Sequence, residues 1–362
     1  DTFEALANHF LPGSTIVLND TRVLEARIMF QKPSGGMIEI FCLEPHAEAV
    51  EISLARCGSA VWKCLIGGAS KWKHGLLLEK NLKVSSGVLH LTAAFLSKQS
   101  EHFLIEFKWE PDEFSFSEVL HFAGAIPLPP YIKRLPSPID QERYQTVYGI
   151  NDGSVAAPTS SLHFTNEVFN SLALKNIRTS FITLHVGAGT FKPVKAENIQ
   201  EHQMHEEPFR ITKMLLKDLM DSQMIIAAGT TTLRTLESVY WLGIKIMKGL
   251  PLNDFRLLQW EAYELEETAI NISYKQSLES VTEYMNERNI ATLYCFTSLI
   301  IVPGYKFKIP SALITNFHQP QSTLLLLVAA FIGEDWKKVY SHALNKGFRF
   351  LSYGDSSLLW RK

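Results

Sequence analysis

Alternating apolar and polar positions in the first third of the chain predict a series of short strands. Such runs lie within residues 21–120: ARIMFQ, MIEIFCLEP, VWKCLIG, LLLEKNLKV, VLHLTAAF and HFLIEFKW. Turns rich in glycine and serine separate them at roughly the 8–12-residue spacing of a small sandwich or barrel. We therefore expect residues 21–120 to form a small β-barrel domain, with a short helix at 116–122 leading out of it.

A different pattern follows the proline-rich segment AIPLPPYIKR, which predicts a rigid connector because proline fixes φ. From residue 153 onward, helical periods alternate with β-rich runs, as is typical of α/β proteins. We therefore predict an α/β fold with two domains: residues 1–20 and 121–362 form the catalytic α/β domain, and 21–120 an inserted β-barrel domain. The more polar residues 245–290 are interpreted as an inserted, partly helical segment. The predicted helices are 165–175, 215–222 and 232–242, and the predicted β-rich runs are 179–186, 224–228 and 291–301.

Composition limits the class of protein. Hydrophobic residues make up 46% of the 362 positions and charged residues 20%, which is typical of a globular protein with a substantial core. The longest apolar run, at 322–332, is too short for a transmembrane helix. The cysteines form no Cys-x-x-Cys pair, which argues against a zinc ribbon or a redox motif and suits the cytosol. A net charge of −2 excludes a general nucleic-acid coat but allows a local basic patch.

Two loops of small residues, each with a histidine, are the strongest candidates for a site. GSVAAPTSSLHFT carries His163, and FITLHVGAGTFKP carries His185 at the end of a predicted strand. Small side chains let a ligand approach the backbone, and hydroxyl groups can both donate and accept hydrogen bonds. GAG lacks the third glycine and the following helix of a dinucleotide fingerprint, so we interpret it as a close-approach loop. The candidate binding residues in these loops are Thr159, Ser160, Gly187, Gly189 and Thr190.

Polar residues at the ends of further predicted strands extend this candidate site. Asn19, Asp20 and Arg22 lie where a predicted strand ends, although on these residues alone a turn with a local Asp–Arg pair is slightly favoured over a ligand-binding role. GTTT, with Thr231, Thr232 and Arg234, follows a strand and begins a helix, so it predicts either an anion cradle or an ordinary helix cap. Asn316 and His318 precede an apolar helix; their directional hydrogen bonds suit a base or an amide better than a cap.

The sequence His202-x-x-His205-Glu206 raises the question of a metal. On a helix these residues would share a face, but the order matches neither HExxH nor HxxEH, so no metal is expected. A catalytic or ligand-ordering role for His205 and Glu206 is the preferred interpretation. A solvent-exposed helix face is the alternative.

Ten motifs occur in an order that resembles the S-adenosylmethionine:tRNA ribosyltransferase-isomerase family of the queuosine pathway. The motifs are NDTRV, PLPPYI, ERYQTVY, GSVAAPTSSLHFT, TLHVGAGTFKPV, HQMHEE, GTTTLRTLES, PGYKF, TNFHQPQSTLLLL and FRFLSYGD. The sequence departs from the family pattern at Gln319 and Gln321, where leucine and lysine are typical, and it lacks the family's usual N-terminal strand segment. If the family's lysine at the position of Gln321 contacts the substrate, the glutamine puts that contact in doubt here.

The resemblance implies a transferase and isomerase of tRNA modification that uses S-adenosylmethionine as a ribosyl donor. The family transfers and isomerises the ribosyl group onto 7-aminomethyl-7-deazaguanine at the tRNA wobble position, which gives epoxyqueuosine-tRNA and releases adenine and methionine. It also implies an α/β domain with an inserted β-barrel, and we expect a cytoplasmic monomer. The candidate acid–base residues are His163, His185, His205 and Glu206, without a division into acid and base.

Phosphate contacts are expected from basic residues between the proline connector and the serine-rich loop. The candidates are Lys133, Arg134 and Arg143. We further expect that replacing His163 or His185 lowers turnover by about 10²-fold or more without loss of the fold. Two alternatives stay open at this point: a catalytically impaired tRNA-binding homologue, and an S-adenosylmethionine-dependent tRNA methyltransferase.

Overall fold

The strands and helices follow both sequence patterns. A computed structural model describes residues 1–73, 75–100, 102–187 and 199–362. The strands are β1 (Thr15–Asn19), β2 (Thr21–Val23), β3 (Arg27–Gln31), β4 (Met37–Pro45), β5 (Ser59–Gly67), β6 (Leu78–Val84), β7 (Gly87–Lys98), β8 (Phe103–Glu110), β9 (Gly124–Ala125), β10 (Asn151–Ser154), β11 (Arg178–Leu184), β12 (Glu207–Thr212), β13 (Ile225–Ala228), β14 (Arg256–Leu257), β15 (Thr292–Thr297), β16 (Ala312–Asn316) and β17 (Ser356–Trp360). The helices are α1 (Val50–Leu54), α2 (Phe116–Ala123), α3 (Pro138–Arg143), α4 (Asn166–Leu174), α5 (Lys213–Met220), α6 (Thr230–Met247), α7 (Glu261–Glu264), α8 (Tyr274–Glu287), α9 (Thr323–Ile332) and α10 (Asp335–Asn345).

The larger sheet is mixed, with parallel strands at its centre. Over the described residues its order is β14-β15-β12-β11-β1-β13-β16-β17. β1 lies parallel to both β11 and β13, and β13 lies parallel to β16. Each residue of β1 is buried, as expected for a parallel strand covered on both faces. The carboxyl ends of β11, β1, β13 and β16 therefore meet at one edge of the sheet.

The second sheet is antiparallel and curled. Its order in the described chain is β6-β7-β8-β5-β4-β3-β9. Burial alternates along β4 and β5, so one face forms a core around Trp62, Phe107 and Phe116. The terminal strand β6 returns to β3, where Lys80 Nζ donates to the Met29 carbonyl at 3.2 Å. The predicted α/β fold with a barrel-like β unit is confirmed, while the domain boundaries at residues 20 and 120 stay a prediction.

Two local interpretations need correction. The segment 245–290 is an integral part of the larger core, because Ser277 Oγ of α8 donates to the Tyr240 carbonyl of α6 at 2.6 Å. Leu278 and Val281 of α8 are fully buried in the same core. The residues of His-x-x-His-Glu are not helical: a short 3₁₀ turn spans Ile199–Glu201 and β12 begins at Glu207. In the described part of the chain, no helix is both long and apolar enough to cross a membrane.

Candidate active site at the carboxyl ends of the parallel strands

A cleft lies at the edge where β11, β13 and β16 end. It encloses about 840 Å³, part of which is open to solvent. The carboxyl ends of parallel strands are the usual ligand-binding edge of an α/β sheet, because the chain must turn there and present loops. We call this space the larger cleft. Its lining includes Tyr131, Thr159, Ser160, Val186, Ala228, Gly229, Thr230, Thr231, Thr232, Thr315, Asn316, His318, Gln319, Ser322, Leu324, Leu351 and Ser352.

The amino terminus of α6 forms one wall of the larger cleft. Gly229 precedes the helix at φ +101°, which favours glycine, and no side chain caps the helix. The first intrahelical bond runs from Leu233 N to the Gly229 carbonyl at 3.0 Å, so three threonine N–H groups precede it. Thr232 Oγ1 is buried and has no hydrogen-bond partner in the described chain. This wall therefore offers unused donors and a hydroxyl to a polar or anionic ligand.

Asn316, the last residue of β16, and His318 just beyond it also line this cleft. Asn316 Nδ2 donates to the carbonyls of Leu351 and Gly354 at 3.0 and 3.2 Å, whereas its buried Oδ1 has no partner among the described residues. His318 Nε2 lies 2.9 Å from Thr315 Oγ1. Burial lowers the pKa of His318 to about 4, so its imidazole is neutral at pH 7. The two residues can therefore read a ligand through neutral hydrogen bonds.

Tyr131 and Ser352 complete this cleft and were not anticipated from the sequence. The Tyr131 hydroxyl contacts Ser352 Oγ and accepts a hydrogen bond from Ser352 N at 3.2 Å. Burial raises the pKa of Tyr131. The two residues are far apart in the chain, and only packing of the proline connector against the C-terminal turn brings them together. Local patterns could not have shown this contact.

A smaller cleft adjoins the first on the other side of the α6 terminus. It encloses about 670 Å³, again partly open to solvent, and shares Thr230, Thr231 and Leu324 with the larger cleft. Arg234 of α6 forms an ion pair here with Glu207 of β12, and both side chains are almost fully buried. Burial lowers the pKa of Arg234 to about 10, which leaves the guanidinium charged at pH 7. The remaining lining consists of His202, Gln203, Met204, His205, Leu299, Ile300, Ile301, Thr323 and Leu327.

Comparison with known proteins decides the family. The chain matches the family described as Queuosine biosynthesis protein over residues 1–359. It belongs to this family. The S-adenosylmethionine:tRNA ribosyltransferase-isomerase of Trichlorobacter lovleyi is 34% identical over 362 residues, covering 99% of this chain and 87% of that protein.

Proteins from Thermotoga are similar as well. The S-adenosylmethionine:tRNA ribosyltransferase-isomerase of Thermotoga maritima is 34% identical over 365 residues, covering 99% of this chain and 87% of that protein. A crystal structure of S-adenosylmethionine tRNA ribosyltransferase from Thermotoga maritima is 25% identical with a TM-score of 0.40, covering 98% of this chain and 85% of that chain. The family resemblance carried by the ten motifs is confirmed.

Within this family member, His163 and His185 lie close to the strand ends but are not among the lining residues of either cleft. His163 stacks on Phe3 with ring centroids 5.2 Å apart, and burial lowers its pKa. His185 is 6% exposed, and its Nε2 lies 3.2 Å from Glu51 Oε1 of α1. A Cβ at Gly153 would lie 2.5 Å from His185 Nδ1, so the close approach of the ring requires glycine there.

The remaining predicted residues are distributed between scaffold and surface. Asn19 joins β1 to β11, because its Nδ2 donates to the Leu184 carbonyl at 2.9 Å and its Oδ1 accepts from Leu184 N at 3.0 Å. Asp20 accepts from Thr183 Oγ1 at 2.7 Å, and burial raises its pKa. The other candidates are placed as follows: Arg22 is exposed, Glu206 pairs with Arg256 at the surface, His205 lines the smaller cleft, Gly187 lies just beyond β11, and Gly189 and Thr190 lie outside the described residues.

The three basic candidates differ in their surroundings. Lys133 and Arg143 are exposed and have no ion pair among the described residues. Arg134 instead donates to both carboxylate oxygens of the buried Asp140 at 2.6 and 2.7 Å. This pairing holds the pKa of Asp140 well below its usual range. A search of the described residues for groups of metal-ligating side chains finds none.

Proposed function

We propose that this protein transfers and isomerises the ribosyl group of S-adenosylmethionine onto 7-aminomethyl-7-deazaguanine at the wobble position of tRNA. The products are epoxyqueuosine-tRNA, adenine and methionine. The observation that carries the proposal is the match to the queuosine biosynthesis family over residues 1–359. Two relatives named for this reaction are 34% and 35% identical to this protein, and each alignment covers 99% of the chain.

The two clefts suit S-adenosylmethionine as the donor. They adjoin at the start of α6 and share Thr230, Thr231 and Leu324, so one extended ligand can occupy both. Thr232 Oγ1 and Asn316 Oδ1 are buried without partners in the described chain, and both residues line the larger cleft. A ligand in this cleft can therefore supply the hydrogen bonds that both atoms lack. Hydroxyls, an amide and a neutral imidazole match the hydrogen-bonding edges of a nucleoside.

The donor supplies a sulfonium that acidifies the adjacent C5′ protons and an adenine that departs. The protein must remove a proton there, stabilise the departing base and keep the attacking amine neutral. We propose that His163, His185, His205 and Glu206 provide this acid–base chemistry, each group contributing roughly 10²–10⁴-fold. His205 lines the smaller cleft, which supports its inclusion. His318 is neutral at pH 7, because burial lowers its pKa to about 4, and so suits hydrogen bonding to the base.

The acceptor is proposed to be tRNA carrying the deazaguanine base. Lys133 and Arg143 are exposed near the proline connector and suit contacts with phosphates. The base must leave the stack to reach a cleft inside the protein. We propose that residues 21–120 form a separate inserted domain, that the protein acts as a monomer in the cytoplasm, and that no metal takes part.

The test is a product analysis. The protein is incubated with S-adenosylmethionine and with tRNA that carries 7-aminomethyl-7-deazaguanine, and the small molecules and digested nucleosides are separated. We expect free adenine and methionine in equal amounts, together with epoxyqueuosine in the tRNA. Unmodified tRNA is the control and should release no adenine.

The product pattern also identifies the rival functions. S-adenosylhomocysteine would indicate a methyltransferase, and tRNA binding without any product would indicate an impaired homologue. Either result contradicts the proposed reaction.

A further inference from the structure

The smaller cleft contains a buried ion pair within an aliphatic wall. Side-chain exposure is 11% for Arg234 and 4% for Glu207. Burying two charges costs desolvation energy that their attraction repays poorly, so such a pair is a weak contributor to stability. A ligand with both charges would explain why the pair lies at a cleft. The aliphatic part of the wall is formed by Leu299, Ile300, Ile301, Leu324 and Leu327.

The guanidinium has hydrogen-bonding capacity beyond this pair. Arg234 directs Nη2 at Glu207, and its buried Nε has no hydrogen-bond partner in the part of the chain that the structure describes. A guanidinium offers five N–H donors in a planar fork that matches a carboxylate. Thr230 and Thr231, at the start of α6, line the same cleft, and N–H groups at a helix amino terminus favour a negative charge. The cleft therefore offers donors for a ligand's carboxylate group, and beside them the Glu207 carboxylate can accept from a ligand's ammonium group.

We propose that the smaller cleft binds the methionine moiety of S-adenosylmethionine. The carboxylate binds Arg234 and the N–H groups of Thr230 and Thr231, and the ammonium group binds Glu207. The methylene chain packs on the aliphatic wall, and the nucleoside crosses the shared boundary into the larger cleft. This assignment rests on the proposed function, because it takes S-adenosylmethionine as the ligand.

A ligand series on the wild-type protein tests the assignment by calorimetric binding, without any tRNA. The ligands are S-adenosylmethionine, its decarboxylated analogue and 5′-methylthioadenosine, which lacks the amino-acid end. Loss of a charged hydrogen bond predicts roughly tenfold to hundredfold weaker binding of the decarboxylated analogue. Equal affinities would overturn the assignment alone, whereas no binding of S-adenosylmethionine would count against the proposed function.

Two variants test whether the amino-acid end of the ligand lies in the smaller cleft. Met204→Trp fills the smaller cleft from its half-buried rim, and we expect it to weaken S-adenosylmethionine at least tenfold and 5′-methylthioadenosine little. Met214→Trp, at a residue 74% exposed on α5, is the matched control and should leave both affinities unchanged. Equal weakening of both ligands by Met204→Trp, or weakening of neither, would overturn the placement.

The second variant removes the charges as a pair. Arg234→Met combined with Glu207→Gln avoids an unpaired buried charge, so the fold should persist. We expect this variant to discriminate less between S-adenosylmethionine and the decarboxylated analogue than wild type does, because only the N–H groups of Thr230 and Thr231 remain for the carboxylate. Discrimination as large as in wild type would show that the carboxylate binds elsewhere.

Discussion

At the scale of single residues, the informative features are buried polar atoms without partners. Thr232 is 1% exposed and its hydroxyl is unsatisfied in the described chain, whereas the buried Thr235 donates to the Thr231 carbonyl at 3.0 Å. The two threonines lie on the same helix, and only Thr232 lines a cleft. They therefore form a matched pair: both side chains are buried, but only the Thr235 hydroxyl has a hydrogen-bond partner in the described chain.

Valine at these positions separates ligand binding from stability. Thr232→Val should weaken S-adenosylmethionine about threefold to tenfold and leave stability unchanged or slightly higher, because an unsatisfied hydroxyl is removed. Thr235→Val should lower stability by about 0.5–1.5 kcal/mol and leave affinity unchanged. Calorimetric titration and urea unfolding measure both. A loss of stability without a loss of affinity in Thr232→Val would mean that the protein itself satisfies this hydroxyl.

At the scale of elements, α3 changes the expected tRNA footprint. Asp140 of α3 is 1% exposed and accepts from Arg134, from Ser137 N at 2.8 Å and from the Tyr353 hydroxyl at 3.1 Å. Asp140 thus joins Arg134 and the start of α3 to Tyr353 of the C-terminal turn. The conformation of Arg134 is fixed by a partner within the protein, so this residue is a poorer phosphate ligand than sequence position suggests.

Single alanine variants should therefore behave differently. Lys133→Ala and Arg143→Ala should each weaken tRNA binding and reduce the salt slope by roughly one, because each removes one phosphate contact. Arg134→Ala should instead lower the free energy of unfolding, since it leaves the buried Asp140 short of its strongest partner. Lys346→Ala, at an exposed lysine beyond α10, is the control. An unchanged salt slope in both Lys133→Ala and Arg143→Ala would place the footprint elsewhere.

The individual strands and helices were easier to predict from the sequence than the contacts that pack them together. Alternation located β4, β5 and β8, and the run MIIAA before GTTT located β13 and the start of α6, because such signals are local. The clefts depend on contacts between distant segments. Tyr131 meets Ser352, and Arg234 meets Glu207, through packing that no local pattern encodes. The polar composition of residues 245–290 suggested an inserted segment, and it concealed the buried face of α8 formed by Ser277, Leu278, Ser280, Val281 and Met285.

At the scale of the whole molecule, His185 connects the two sheets. Its Nε2 lies 3.2 Å from Glu51 Oε1 on α1, and Arg210 Nη1 of β12 lies 3.7 Å from the same oxygen. α1 lies between β4 and β5, so these contacts join the antiparallel sheet to the larger one. The hydrogen bond from His185 is the main cause that lowers the pKa of Glu51 to about 2. Glu48 pairs with Arg56 in the same region without crossing between the sheets.

Glutamine at these positions tests the link. Glu51→Gln should lower stability at pH 7 by about 1 kcal/mol, after allowing for the exposure of this carboxylate. Because the folded-state pKa is depressed, the difference from wild type is fully present above the unfolded pKa near 4.5 and narrows as the pH falls towards 2. Calorimetric unfolding at pH 7, 4.5 and 3.5 measures it. Glu48→Gln should change stability by less than about 0.5 kcal/mol.

The contact between His185 and Glu51 also distinguishes a structural role of His185 from a catalytic one. A purely structural histidine would make His185→Gln and Glu51→Gln equally unstable while both keep near wild-type turnover. We expect instead that His185→Gln also lowers single-turnover adenine release by about 10²-fold, because a buried imidazole with an unsatisfied Nδ1 beside the strand ends suits proton transfer. His163→Gln is measured in parallel. Turnover within a few-fold of wild type in both histidine variants would move the acid–base role to His205 and Glu206.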